Sequence, residues 1–156
     1  MANVAWISGH IMCLNGDDRS TAIEKIDSLP KEPYQDCFSI WNGIFHAPLA
    51  PCRAGFIITF GLSHKYLGED DVIGEFLNFW EDFIEDLPVH ELFIALEQEF
   101  ICSHEPFGKF YFQWQREYFP KSDRSRWVFK GTMPINSEWQ SRFETDLNDE
   151  DRQTSN

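Results

Sequence analysis

The stretch from Gly68 to Glu105 carries twelve carboxylates and no Lys or Arg, and its first half restricts the possible folds more than any other segment. Stepping about 100° per residue gathers Val72, Ile73, Phe76, Leu77, Phe79, Trp80, Phe83, Ile84 and Leu87 on one half of a cylinder. Asp71, Glu75, Asn78, Asp82, Glu85 and Asp86 take the other half. This periodicity predicts a helix from Asp70 to Asp86 with one buried face and one acidic face. Such a helix needs an apolar surface to lie on, and the rest of the chain supplies strands.

Residues 3–14 alternate as a strand, with Ala5, Ile7, Gly9, Ile11 and Cys13 on one side and Val4, Trp6, Ser8, His10 and Met12 on the other. Both sides read as covered, which predicts a central strand. After the turn Asn15-Gly16-Asp17-Asp18, the capping box Thr21-x-x-Glu24 predicts a short helix anchored by Ile23 and Ile26 and ending before Pro30. Phe38–His46 and Gly55–Tyr66 read as the next two strands, joined by the stiff connection Ala47-Pro48-Leu49-Ala50-Pro51. Pro88 ends the acidic helix. Val89–Ile101 fits either period, and its Glu, Leu, Ala and Gln content favours a helix.

Lys109–Tyr118 alternates cleanly, with Phe110, Phe112, Trp114 and Tyr118 inward, and Arg126–Met133 returns as its hairpin partner through Trp127 and Phe129. A second capping box, Ser137-x-x-Gln140, with Trp139, Phe143 and Leu147, predicts a C-terminal helix. The expected architecture is one α+β domain over residues 1–147, a mainly antiparallel sheet packed against the acidic amphipathic helix, with that C-terminal helix. Residues 148–156 hold no apolar side chain and are expected to be a disordered tail.

The formal charge of −13 is unevenly spread: residues 1–108 sum to −13, residues 109–131 to +4, and the rest to −4. This balance opposes nonspecific binding to nucleic acid or anionic lipid and favours basic partners. Cys13, Cys37, Cys52 and Cys102 form no C-x-x-C pair, and the first residues lack a basic leader region, so reduced thiols and a cytoplasmic location are expected. No window approaches the roughly eighteen apolar residues of a membrane span.

Successive acids of the helix rise ~5–6 Å, a spacing comparable to that of phosphates along a DNA strand. A solvated surface helix shows the same pattern. What favours a binding role is that the acids continue past Pro88 without i,i+4 Lys partners, each of which would stabilise the helix by ~0.3–0.5 kcal/mol. The expected partner-binding residues are Asp71, Glu75, Asp82, Glu85 and Asp86, extended by Glu91, Glu97 and Glu99.

Lys109, Arg116, Arg124, Arg126 and Lys130, set among aromatics, form an alternative anion-binding set for a nucleic-acid module. A further alternative is a small enzyme with a pocket in which Glu97 and Glu99 work with a His as acid and base. Neither Cys102-x-His104 nor His46-x5-Cys52 matches a structural zinc spacing, and His90-Glu91 lacks the second His of an H-E-x-x-H helix. No cofactor or metal is expected. Small, acidic and without a catalytic motif is the general profile of immunity proteins that neutralise toxins and of nucleic-acid-mimicking inhibitors. The expectation is a non-enzymatic protein that blocks a basic partner, a toxin or a nucleic-acid enzyme, with a carboxylate-rich face.

Overall fold

The computed structural model describes residues 4–33, 39–47, 55–65, 70–101, 105–121, 124–131 and 141–143. Its centre is one antiparallel sheet of six strands: β1 (Val4–Cys13), β2 (Phe45–His46), β3 (Phe56–Lys65), β4 (Glu91–Ile101), β5 (Glu105–Tyr118) and β6 (Ser125–Gly131). The spatial order is β2-β3-β1-β4-β5-β6. Two α-helices are interposed, α1 (Gly16–Asp27) and α2 (Asp70–Ile84), which makes the fold α+β.

Alternation along each strand separates the two faces of the sheet. Ala5, Ile7, Ile11 and Cys13 of β1 share the buried face with Ile58 and Phe60 of β3, Leu92, Ile94 and Leu96 of β4, and Phe112 and Trp114 of β5. The buried side of α2, carrying Phe76, Leu77, Trp80, Phe83 and Ile84, closes over it. Trp80 stacks on Phe60 with ring centres 4.4 Å apart, and Phe76 meets Phe112 at 5.8 Å. Gly9 makes room for this packing, since a Cβ there would lie 2.1 Å from the Phe93 carbonyl oxygen and 2.5 Å from the Phe60 ring. Burial also pushes the Cys13 thiol up to about 11.

Several expectations are corrected. Residues from Glu91 onward form a strand and not a helix, because β4 pairs with β1 on one side and β5 on the other, and a full double ladder outweighs helix propensities of a few tenths of a kcal/mol per residue. The Phe38–His46 strand shrinks to Phe45–His46, preceded by a 3₁₀ turn over Asn42–Ile44. Helix α1 starts earlier than the Thr21 capping box predicts. Asn15 caps it by accepting from the Asp18 amide at 2.8 Å, Asp17 and Asp18 complement its positive end, and Thr21 instead donates back to the Asp17 carbonyl.

The second face of β1 is not covered either: Trp6 is 49% exposed and Tyr111 on the same side of β5 is 48% exposed. Tyr118, expected inward, is 55% exposed because it lies at the end of β5, where it stacks on His90. Of the expected C-terminal helix only Ser141–Phe143 fall among the described residues, and they form a turn; the 148–156 tail lies outside them.

Candidate partner-binding surface

The outer side of α2 presents Glu75, Asn78, Asp82, Glu85 and Asp86 to solvent, as its period requires. Phe79, expected to be buried, is instead 37% exposed in the middle of these acids. Asp71 also belongs to α2, but its side chain lies outside the described residues. The carboxylates crowd toward the helix C-terminus, where Glu81, Asp82, Glu85 and Asp86 follow one another and no basic residue stands in the last turn. Unpaired carbonyls give this end a partial negative charge, so each exposed acid there costs about 0.3–1 kcal/mol of helix stability.

The chain answers part of this charge itself. Lys25 of α1 reaches the Asp82 carbonyl oxygen at 3.4 Å and lies over the Phe83 ring. Arg142 donates to the Asp82 carboxylate and approaches Glu81 with its Nε at 3.5 Å. Burial pulls the Arg142 guanidinium down, but the hydrogen bond and charge of Asp82, with Glu85 and Glu81, hold it above its ordinary value. Among the described residues no ion pair joins Glu75, Glu85 or Asp86. The argument that these acids lack cationic company therefore applies to those three and not to Asp82.

Glu81 is the residue that the sequence reading passed over. Its side chain is 0% exposed, wedged between α2 and the sheet. One carboxylate oxygen accepts from the Trp114 indole N–H at 2.9 Å and from the Ser141 hydroxyl, so it ties α2, β5 and the C-terminal segment together. Burial raises its pKa, opposed by the hydrogen bonds from Ser141 and Trp114 and by Arg142. A signal was present in the sequence: Leu77 and Ile84 sit at i−4 and i+3 from Glu81, so it borders the apolar arc.

Of the remaining predicted partner residues, Glu91 and Glu97 do not join this surface. Odd-numbered residues of β4 point to the side of the sheet opposite α2, which separates Glu91 and Glu97 from the helix acids. Glu91 accepts from His10 at 2.9 Å, Gln113 at 3.0 Å and Gln115 at 3.3 Å, and is a cross-strand clasp. Glu97 pairs with Lys109 at 3.7 Å, and the Glu99 side chain lies outside the described residues. For the enzyme alternative, the described carboxylate–imidazole pair is thus Glu91 with His10, not Glu97 or Glu99. His10, expected in the core, is one third exposed in that pair.

The basic hairpin is largely committed within the chain. Arg116 is engaged inside the fold: it donates to the Leu87, Val89 and Ser125 oxygens and lies 4.5 Å from the Trp127 ring, pinning the α2–β4 connection to β5. Arg126 pairs with Glu117 and lies over Phe119. Lys130 and Arg124 are exposed.

No protein-family model matches the chain, and no curated protein or solved structure matches it either. No helix among the described residues is long and apolar enough to cross a membrane.

Proposed function

We propose that this chain is a non-catalytic inhibitor that docks a basic partner protein against the acidic end of α2, in the manner of a toxin-immunity protein or a nucleic-acid mimic. One observation carries the reading. Exposed carboxylates are concentrated at the helix pole where they are least stable, with no base in the last turn. A cationic surface brought against Glu85 and Asp86 offsets that cost only in the complex, while Glu75 and the half-exposed Phe79 further up the same helix add a charge and an apolar anchor. Carboxylates of this kind govern encounter rate and specificity more than final affinity.

The test has two stages. The protein is used as bait in a lysate at low and high salt to capture a basic protein released by salt. Association is then timed for Glu85→Lys/Asp86→Lys, which leaves the Asp82–Arg142 pair intact. The expected outcome is association slowed by about tenfold or more and a flatter salt dependence. Unchanged rate and affinity in the double variant would overturn the reading.

A further inference from the structure

One cation of the chain already occupies the acidic end of α2. Arg142 donates to the Asp82 carboxylate through Nη2, brings Nε to 3.5 Å from Glu81 Oε2, and lies 5.5 Å from the centre of the Phe143 ring. The charge of Glu85 reaches it as well. Lys25, also at this end, is turned to the Asp82 carbonyl oxygen and the Phe83 ring, and so leaves the carboxylates to Arg142. Two carboxylates and an aromatic ring suit a guanidinium, which donates along its edges and stacks with its face. An ammonium has no such plane.

The fork of Arg142 is nonetheless under-used. Of its two carboxylate contacts only that with Asp82 is a hydrogen bond, and Glu81 Oε2, on a side chain that is 0% exposed, has no hydrogen bond among the described residues. A buried acceptor left in this state costs stability, and the nearest guanidinium nitrogen stands at the far limit of reach. The neighbours of Arg142 are fixed in place while its own side chain is not enclosed. Ser141 is buried against Glu81 and Phe143 packs on Trp127, but the Arg142 side chain between them is 39% exposed. It can leave by turning about its own bonds while the backbone stays where it is.

We propose that Glu81, Asp82 and Phe143 form a guanidinium seat, which Arg142 fills in the free protein and an arginine of the basic partner takes in the complex. The inference rests on the reading of this end of α2 as a partner surface and names the group that the partner brings to it. Arginine for arginine conserves the charge beside buried Glu81, so the tie from α2 to β5 through Trp114 is kept during the exchange. The internal occupant also sharpens selection. A partner must present a guanidinium good enough to displace Arg142, which a lysine or a polycation that merely follows the field does not.

The test empties the seat and offers it a guanidinium, with no partner protein present. Arg142→Ala vacates the seat, and Arg142→Gln does so more conservatively if the first variant folds poorly. N-ethylguanidinium at millimolar concentration is expected to raise the melting temperature of the emptied variant by about 3–6 °C, the effect of a ligand at about ten times its dissociation constant on a chain of this length. It also moves the Trp114 indole N–H resonance, which reports on Glu81. The parent responds to neither measurement, N-ethylammonium at the same ionic strength reproduces neither, and added Asp82→Asn abolishes both. A folded variant that N-ethylguanidinium leaves unchanged, or that both ions stabilise equally, overturns the seat. A parent as responsive as the variant overturns the placeholder role of Arg142. With a captured partner, Arg142→Ala is expected to bind about tenfold more tightly, because nothing has to leave first, and unchanged or weaker binding overturns the exchange. The two readings fail separately. A captured partner with an indifferent seat is held by charge alone, whereas a responsive seat with no basic protein captured overturns the partner reading and the exchange with it.

Discussion

Replacing Glu81 separates two contributions that one carboxylate makes. In Glu81→Ala the Trp114 indole N–H, fully buried, loses its acceptor, and an unpaired buried donor costs about 1–3 kcal/mol. The Ser141 tie disappears as well, while Arg142, partly exposed, retains Asp82 and adds under about 1 kcal/mol to the loss. At roughly 2–4 °C per kcal/mol for a chain of this length, Glu81→Ala melts about 5–10 °C lower. Glu81→Gln keeps an acceptor oxygen for the Trp114 indole N–H, so at neutral pH it stays within about 1 kcal/mol of the parent.

The pH dependence supplies the decisive sign. Burial raises the folded-state pKa of Glu81 above its ordinary value of 4.5, so its contribution is full below that value and lost as pH rises through the raised one. The parent's stability relative to Glu81→Gln therefore falls from acid toward neutral pH. Urea unfolding of both proteins as a function of pH, from the ordinary carboxyl value of 4.5 up to neutral, measures it. If the parent gains on Glu81→Gln as pH rises, attraction to Arg142 outweighs burial and the reasoning is refuted.

Two further perturbations test the packing. Gly9→Ala drives a methyl group into the Phe93 carbonyl and the Phe60 ring, and is expected to cost about 2–3 kcal/mol in denaturant titration, with loss of the near-ultraviolet signal of the Trp80–Phe60 stack. Arg116→Lys keeps the charge but cannot reproduce the guanidinium fork between the Leu87 and Val89 carbonyls and Ser125. A loss of about 1–3 kcal/mol is expected, with faster hydrogen exchange confined at first to residues 85–90; a neutral effect would show that the α2–β4 connection is held by other means.

The strongly periodic segments of the sequence were legible by themselves. The acidic helix, β3 and the β5–β6 hairpin state most of their faces locally, because a period of 3.6 or 2 shows which side chains must leave water, whereas Trp6 on β1, Phe79 and Tyr118 are exposed against that reading. The outward acids Glu75, Asp82, Glu85 and Asp86 were readable for the same reason. What periodicity does not encode is the company each face keeps. Val89–Ile101 carries helix-favouring residues, and only the ladders offered by β1 and β5 on either side made it a strand.

That choice decided the site as well. As a strand, β4 turns Glu91 and Glu97 to the far side of the sheet, dividing one acidic stretch of sequence between two faces of the molecule. Glu81 became the buried clasp of α2, and Arg116 an internal strut, through partners more than twenty residues away in sequence. Local pattern determined which residues seek burial in this protein. Tertiary packing decided which charges are spent inside it and which remain for a partner, because the cost of a buried charge depends on neighbours that only the folded chain brings together.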